Sequence, residues 1–176
     1  MKITLELLEQ KSACKDGLSY FIKKWPIGEA EYQLAIDQCV IDKKLEYANW
    51  LLSNFGPSNE ILRLENYDGD YLYFAGKIIV SGSIKAISIR AGDGISAGDG
   101  ISAGRGISAG REILAGDGIS AGWGISAGLS IKSQYIDCNL RIFAGIVNWK
   151  IPTEKEQVII GEIRSGIITC GIHRKK

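Results

Sequence analysis

The chain has 176 residues, a formal net charge of +1 and 45% hydrophobic residues. This length suits one domain or a small domain joined to a repeat array, and the near-neutral charge disfavours nucleic acid as a partner. No apolar run reaches the roughly 18 residues that a membrane span needs, so we expect no membrane partner. Glu6 and Glu9 interrupt the first segment, where a signal peptide is apolar, so we expect a cytoplasmic protein.

Residues 1–70 predict a small helical region. Partial alternation over residues 2–8 is compatible with a strand, and helical spacing of apolar residues predicts helices over 29–41 and 43–54. Gly56-Pro57 ends the second helix, because glycine favours the residue after a helix and proline cannot continue one.

The segment from Ile89 to Ser133 repeats a six-residue unit, Ile-Ser-Ala-Gly-Asp-Gly and variants. Isoleucine and alanine point to one face of an extended segment, and the serine between them points to the other. We expect the following Gly-x-Gly to turn the chain through positive φ angles, which glycine adopts without steric cost. One unit cannot bury its apolar side chains alone, so the repeat predicts a β-solenoid of stacked copies. The isoleucines are Ile89, Ile95, Ile101, Ile107, Ile113, Ile119, Ile125 and Ile131.

The pattern extends beyond the regular repeat on both sides. The six-residue step slips by one residue before Ile89 and again after Ile131, which gives thirteen rungs in one stack. We therefore predict a solenoid over residues 71–149. The additional rungs are Leu72-x-Phe74, Ile78-x-Val80, Ile84-x-Ala86, Ile136-x-Cys138 and Ile142-x-Ala144.

One coil, meaning one full turn of the solenoid, contains either two or three units. Two units give a flat coil of 12 residues, in which Asp93, Arg105 and Asp117 alternate in charge along one corner. Three units give a triangular coil of 18 residues, in which Asp93 stacks on Arg111 but Asp99 stacks on Asp117. Successive coils lie about 4.8 Å apart, and like charges at that distance repel. These pairs favour the 12-residue coil.

Residues 150–176 predict a C-terminal cap of strands and a helical turn. Pro152 breaks the stack after Trp149, and Thr153 with Glu156 has the spacing of a capping box. Strands are predicted over 157–164 and 167–172. The chain ends on three basic residues, which we expect to be a solvated terminus: Arg174, Lys175 and Lys176.

The predicted fold class is mainly β, a β-solenoid with a small α-helical N-terminal cap and a short C-terminal strand and helix cap. Open ends of a stack expose unpaired strand edges, and proteins cover such edges. Residues 1–70 are accordingly predicted to be a cap and an interaction region, and residues 150–176 to be the second cap.

Metal and cofactor sites are not predicted. The four cysteines lie far apart without CxxC spacing, so we expect reduced thiols. Asp68-Gly69-Asp70 lacks the further acidic ligands of a calcium loop and predicts a tight turn. The cysteines are Cys14, Cys39, Cys138 and Cys170.

A hexapeptide-type acyltransferase is the enzymatic alternative, because its β-helix also consists of six-residue units. That family places a small residue at the fifth position of the unit, where this chain carries Asp93, Arg105 or Trp123. It also uses a histidine as general base, whereas His173 is the fourth residue from the end and lies outside the repeat. We therefore predict a protein without enzymatic activity.

Three stretches resemble a set of small bacterial and prophage proteins. They are GDYLYFAGKIIVSGSIKA, ISAGDGISAGDGISAGRGISAG, and IFAGIVNW followed by IPTEKEQ, and Trp50-Leu51-Leu52 matches the helical N-terminus of that set. The resemblance implies an I-x-A-G-x-G solenoid, an F-A-G-x-x-x-W-x-x-P-T closing motif and a phage-linked context. It implies no catalytic residues.

We expect a non-enzymatic protein-binding scaffold. Small phage proteins without catalytic residues often block a host complex, as anti-CRISPR proteins do, and by this analogy we expect an inhibitor of a bacterial defence complex. The partner is then a host protein or ribonucleoprotein, and a self-assembling structural module that forms a homo-oligomer is the alternative. Exposed aromatic residues often dominate interfaces, although for Trp50 a core position is favoured. The candidate partner-binding residues are Trp25, Tyr32, Trp50, Asp68, Asp70, Tyr71 and Trp123.

Overall fold

The structure, a computed structural model, describes residues 1–147 and 149–175. Lys176, part of the predicted basic terminus, lies outside the described residues. The chain divides into two compact units, Met1–Gly56 and Pro57–Lys176. The described residues are mainly β, with helices in the first unit and a β-solenoid in the second, as the sequence predicted. No helix among them is long and apolar enough to cross a membrane.

The N-terminal unit combines short helices with a small antiparallel sheet. In this unit β1 pairs with β2, and Ile3 lies opposite Ala30. Its elements are β1 (Lys2–Thr4), α1 (Leu5–Gln10), α2 (Lys15–Lys24), β2 (Glu29–Glu31), α3 (Tyr32–Ile41) and α4 (Leu45–Phe55).

Local capping explains where these elements depart from the sequence-based prediction. The strand compatible with residues 2–8 stops at Thr4, because the Thr4 hydroxyl accepts the N–H of Leu7 and starts α1. Helix α2 was not predicted; its N-cap is Cys14, whose Sγ accepts the Gly17 N–H at 3.4 Å. The helix predicted from residue 29 begins at Tyr32, because the preceding residues form β2.

The solenoid unit consists of short parallel strands on three faces. Strands β3, β6, β9 and β12 stack on face 1, β4, β7, β10 and β13 on face 2, and β5, β8, β11, β14, β16 and β18 on face 3. The longer β15 and β17 each cover parts of faces 1 and 2, and β19 pairs with β17. The strands are β3 (Ile61–Leu64), β4 (Tyr67–Asp68), β5 (Tyr71–Phe74), β6 (Lys77–Val80), β7 (Ile84–Ala86), β8 (Ser88–Ala91), β9 (Ile95–Ala97), β10 (Ile101–Ala103), β11 (Ile107–Ala109), β12 (Ile113–Ala115), β13 (Gly118–Ala121), β14 (Ile125–Ala127), β15 (Ile131–Cys138), β16 (Arg141–Ala144), β17 (Val158–Ile163), β18 (Ile167–Cys170) and β19 (Ile172–Arg174).

One coil of the regular repeat has 18 residues. Ile101 lies opposite Ile119 in the next coil, and Ile107 lies opposite Ile125. The preference for a 12-residue coil is therefore wrong. It rested on exposed charge pairs, each worth only a few tenths of a kcal/mol, whereas backbone hydrogen bonds between coils determine the stacking. Asp117 accordingly stacks on Asp99, with its N–H 3.2 Å from the Asp99 carbonyl oxygen, despite the like charges.

The first glycine of the corner allows neighbouring coils to approach closely. Among the described residues the glycines with positive φ all lie outside the repeat, so the prediction that repeat glycines turn through positive φ is wrong. A Cβ on Gly110 would overlap the carbonyl oxygen of Gly92, and one on Gly128 would overlap that of Gly110. These glycines are needed because the backbone of one coil lies directly against the next.

The one-residue slips are accommodated at corners, and the inward side chains stay aligned. Ile84 lies opposite Ile101, which makes a 17-residue coil around the first slip. The second slip follows Ile131, and there Ile119 lies opposite Ile136. The isoleucines of the repeat are at most 1% exposed, so each contributes about 1.5–3 kcal/mol of burial.

The stack is longer at both ends than the sequence predicted. Before Leu72, strand β3 already pairs with β6, and Tyr67 of β4 lies opposite Ile84. After residues 145–157 the stack resumes, because Ile159 lies opposite Ile131. The predicted interruption at Trp149 and Pro152 is therefore a loop within the stack rather than its end.

Candidate functional site

Tyr32 is a core residue of the N-terminal unit. Its side chain is 2% exposed, and its hydroxyl lies 3.2 Å from the carbonyl oxygen of Leu51 and 3.0 Å from that of Gly56. These contacts join the start of α3 to the end of α4. The proposal of Tyr32 as a partner-binding residue is corrected, because its ring is buried against Phe55 at 6.0 Å.

Trp25 and Trp50 are half-buried and line the same small cavity within the N-terminal unit. Their rings pack on Phe21 at 5.0 Å and on Phe55 at 6.1 Å respectively. The cavity has a volume of about 50 Å³ and an apolar lining. Both tryptophans thus contribute to the packing of the unit.

A polar cluster around Asp42 joins α2 to the end of α3. Its Oδ2 accepts the Tyr20 hydroxyl at 2.7 Å and lies 2.7 Å from Lys24 Nζ, and its Oδ1 accepts the Gln38 amide at 3.1 Å. The hydrogen bonds from Lys24 and Tyr20 lower the pKa of Asp42 from its ordinary value. The hydrogen-bonding capacity of Asp42 is used within the fold, so the cluster is structural.

Two of the cysteines are buried, and the histidine is hydrogen-bonded to the backbone. Burial raises the pKa of the Cys39 thiol to about 11 and also raises that of Cys138, so both thiols are unreactive at neutral pH. His173 Nε2 lies 2.8 Å from the carbonyl oxygen of Gly161, which makes this nitrogen a donor. No cluster of three metal-ligating side chains occurs among residues 1–147 and 149–175.

Asp68, Asp70 and Tyr71 lie together in the first coil. Asp68 is exposed, and its Oδ2 lies 3.8 Å from Lys85 Nζ in the coil above. Asp70 is exposed at the corner between faces 2 and 3, and its carbonyl oxygen accepts the Ile87 N–H at 2.7 Å. Tyr71 is half-buried and packs edge-on against Tyr73 with 6.3 Å between ring centroids.

One corner of the solenoid carries a row of apolar side chains that begins above Asp70. Trp123 is 56% exposed, Leu140 57%, Ile167 68% and Ile87 37%. Backbone hydrogen bonds stack this corner from coil to coil, from Arg105 N to Ile87 O, Trp123 N to Arg105 O, Leu140 N to Trp123 O, and Ile167 N to Leu140 O. We call these four apolar residues together with Arg105 the apolar corner.

Arg105 belongs to the apolar corner because its guanidinium lies over the ring of Trp123, 5.3 Å from the ring centroid. The two residues are 18 apart in sequence and are stacked neighbours in successive coils. The sequence contained this pair as a signal for the 18-residue coil, and the preference for the 12-residue coil overlooked it. A stacked guanidinium orients the indole while leaving its other face exposed.

The other two corners of the regular repeat are mainly polar. Asp93, Arg111 and the half-buried Leu129 stack between faces 3 and 1, where Arg111 Nε lies 3.5 Å from Asp93 Oδ1. Asp99, Asp117 and Gln134 stack between faces 1 and 2. Corner side chains point away from the interior, so folding does not require an apolar residue there. The concentration of apolar residues on one corner indicates a contact surface.

A second exposed tryptophan lies beside the corner between faces 3 and 1. Trp149 is 53% exposed, with the Arg111 guanidinium 5.5 Å and Lys150 Nζ 5.1 Å from its ring centroid. Ile146 and Ile151 of the same loop are 52% and 93% exposed. The sequence-based candidates omitted these residues because Trp149 was interpreted as the end of the stack.

A three-faced parallel β-solenoid with a helical N-terminal unit and exposed aromatic corners defines the structural class of this protein. Residues 1–55 match the family model described as the YdhT N-terminal domain. The helical unit, Met1–Gly56, is therefore similar to that domain, and the solenoid lies outside the match. No curated protein and no solved structure matches the chain.

Proposed function

We propose that this protein is a non-enzymatic protein-binding scaffold. The observation that carries this function is the presence of two half-exposed tryptophans, Trp123 and Trp149, on different corners of one solenoid. Each indole is stacked on an arginine of the solenoid, Arg105 or Arg111. Tryptophan and arginine are the residues that most often contribute large binding energies at interfaces.

The solenoid supports this function by holding Trp123 in place. Its backbone is bonded to the coils before and after it, and the interior isoleucines are buried. Little conformational entropy is then lost at Trp123 when a partner binds, because this contact residue is ordered beforehand. In its finer form the proposal is a phage-encoded inhibitor that binds a host protein or ribonucleoprotein of a bacterial defence complex.

Affinity capture with the full-length chain tests the proposal. The tagged protein is expressed in a bacterial host, and the captured proteins are quantified by mass spectrometry. The double variant Trp123→Asp/Trp149→Asp is expected to capture at least about tenfold less of a specifically bound protein, because two hot-spot side chains are removed. Thermal unfolding of the variant verifies that the solenoid is intact.

The matched control is Ser83→Asp/Ser102→Asp, which adds the same two negative charges at exposed positions without removing an aromatic ring. This control is expected to retain the captured protein at the wild-type level. The proposal is wrong if no protein is captured reproducibly, or if the tryptophan variant and the serine variant capture equal amounts.

A further inference from the structure

We propose that the apolar corner binds a second copy of this chain in an antiparallel, two-fold symmetric arrangement. This inference rests on the proposed function, because it assigns a protein partner to the surface around Trp123. The surface around Trp149 then remains available to a different protein.

The order of side chains along the apolar corner is self-complementary when one copy is reversed. The stacked positions are Asp70, Ile87, Arg105, Trp123 and Leu140, and Ile167 follows in the next coil, opposite Arg141. With a two-fold axis between Arg105 and Trp123, Ile87 of each copy faces Leu140 of the other, and Asp70 lies level with Ile167. Arg105 then faces Trp123 of the second copy, which continues the arginine–indole stacking found within one chain.

Two charges beside the apolar corner also favour the antiparallel arrangement. Asp70 lies one coil before Ile87, and Arg141 follows Leu140; both are exposed. Among residues 1–147 and 149–175 neither side chain has an ion-pair partner within 4 Å. Because Ile87 faces Leu140 of the second copy after reversal, Asp70 lies one coil, about 4.8 Å, from the level of Arg141 of that copy, within reach of the long arginine side chain, whereas a parallel pair of copies places like charges together.

The exposed area indicates a dimer that dissociates on dilution. Large apolar side chains present up to about 200 Å² each, so at their exposed fractions the apolar corner offers roughly 400 Å² per copy. Two copies then bury about 800 Å² from these side chains, less than the roughly 1,200 Å² of a standard stable interface. We therefore expect a concentration-dependent equilibrium rather than an obligate dimer.

Sedimentation velocity over a series of protein concentrations, with the full-length chain, tests this inference. The wild-type protein is expected to shift from monomer to dimer as the concentration rises. Trp123→Asp is expected to raise the dissociation constant at least about tenfold, because it removes the central aromatic contact and buries a charge. Trp149→Asp is the matched control, since Trp149 is equally exposed and also stacked on an arginine, and it leaves the dimer unchanged.

Charge reversal tests the antiparallel orientation itself. Asp70→Arg and Arg141→Asp each place like charges together across the interface, so each is expected to weaken the dimer. Combined in one chain, the two changes restore an opposite-charge pair between copies and are expected to recover most of the wild-type affinity. Both residues are exposed, so neither change disturbs the core.

A protein that stays monomeric at every concentration overturns the inference, as does a dimer that is insensitive to Trp123→Asp. A dimer that the combined charge reversal does not rescue overturns the antiparallel arrangement. The proposed scaffold function stands in each of these cases, because capture of a different protein is measured separately and does not require self-association.

Discussion

Single residues of the repeat have separate physical roles. Ile107 is 1% exposed and Ala109 4% exposed, and both face the interior between coils, whereas Ser108 points outward between them. Gly110 has no side chain because the carbonyl of Gly92 occupies that space. The identity of each residue in the unit therefore follows from one local constraint.

The inward position of Ile107 predicts a large effect of a charge there. Ile107→Asp is expected to lower the free energy of unfolding by more than about 3 kcal/mol, because the carboxylate has no partner in an apolar interior. Ser108→Asp, one residue away on the outward side, is expected to change it by less than about 0.5 kcal/mol. Chemical denaturation of both variants measures the difference, and equal stability of the two contradicts a dry interior.

Two glycines at successive corners, Gly106 and Gly110, predict different responses to alanine. Gly110→Ala is expected to destabilise the protein by about 1–3 kcal/mol, because the added Cβ overlaps the Gly92 carbonyl oxygen and the coils must separate. Gly106→Ala places its Cβ 3.4 Å from the Gly124 carbonyl oxygen and is expected to be nearly neutral. Thermal unfolding compares the two variants. A similar loss for both shows that conformational freedom, and not close approach, requires these glycines.

At the scale of elements, the strands depend on their neighbours in adjacent coils. Most strands of the repeat have only three residues, such as β9 and β10, and each pairs with strands from the coils before and after it. The N-terminal helices are joined differently, through side chains such as the Asp42 cluster between α2 and α3. Each unit is thus stabilised internally by a different kind of contact.

The Asp42 cluster predicts a pH-dependent contribution to stability. The pKa of Asp42 is lowered in the folded protein from its ordinary value of 3.8, so its contribution is complete above pH 3.8 and is lost as the pH falls through the folded pKa. Asp42→Asn is accordingly expected to be less stable than the wild type at neutral pH, with a difference that shrinks on acidification below pH 3.8. Thermal unfolding of both proteins at neutral pH and below pH 3.8 measures the stability difference. A difference that is the same at the two pH values contradicts a charge-dependent role of Asp42.

At the scale of the whole molecule, the solenoid is a linear stack in which most coils contact only the coil before and the coil after. The central strands β10 and β11 have neighbours on both sides, whereas β18 ends the order of face 3 and β19 pairs with β17 alone. Stability in such stacks is a sum of coil and interface contributions, so it varies along the axis.

Amide hydrogen exchange is expected to reveal this gradient. Peptides covering residues 101–109 should exchange most slowly, and peptides covering residues 167–174 most rapidly, because terminal coils open without disrupting two interfaces. Mass spectrometry of the full-length chain gives the rates. Uniform protection over the described part of the solenoid contradicts the gradient and indicates a single cooperative unit.

The sequence by itself determined which residues are inward and which are outward, because side chains alternate along an extended segment. From Ile-x-Ala alone the solenoid was predictable, as were the two slips of register. Helix α2 was not, because Gly17 weakens its helical pattern and its start depends on the Cys14 cap.

Only the tertiary structure decided the 18-residue coil and therefore which residues share a corner. The units are nearly identical, so apart from single corner pairs such as Arg105 and Trp123 the sequence does not indicate which unit lies above which, and hydrogen bonds between residues 17 or 18 apart make that selection. Ile87, Trp123 and Leu140 are far apart in the sequence and form one row only when the coil length is known. The packing of the interior does not determine which residues occupy the corners. Which corner residues lie next to one another therefore depends on how complete coils stack.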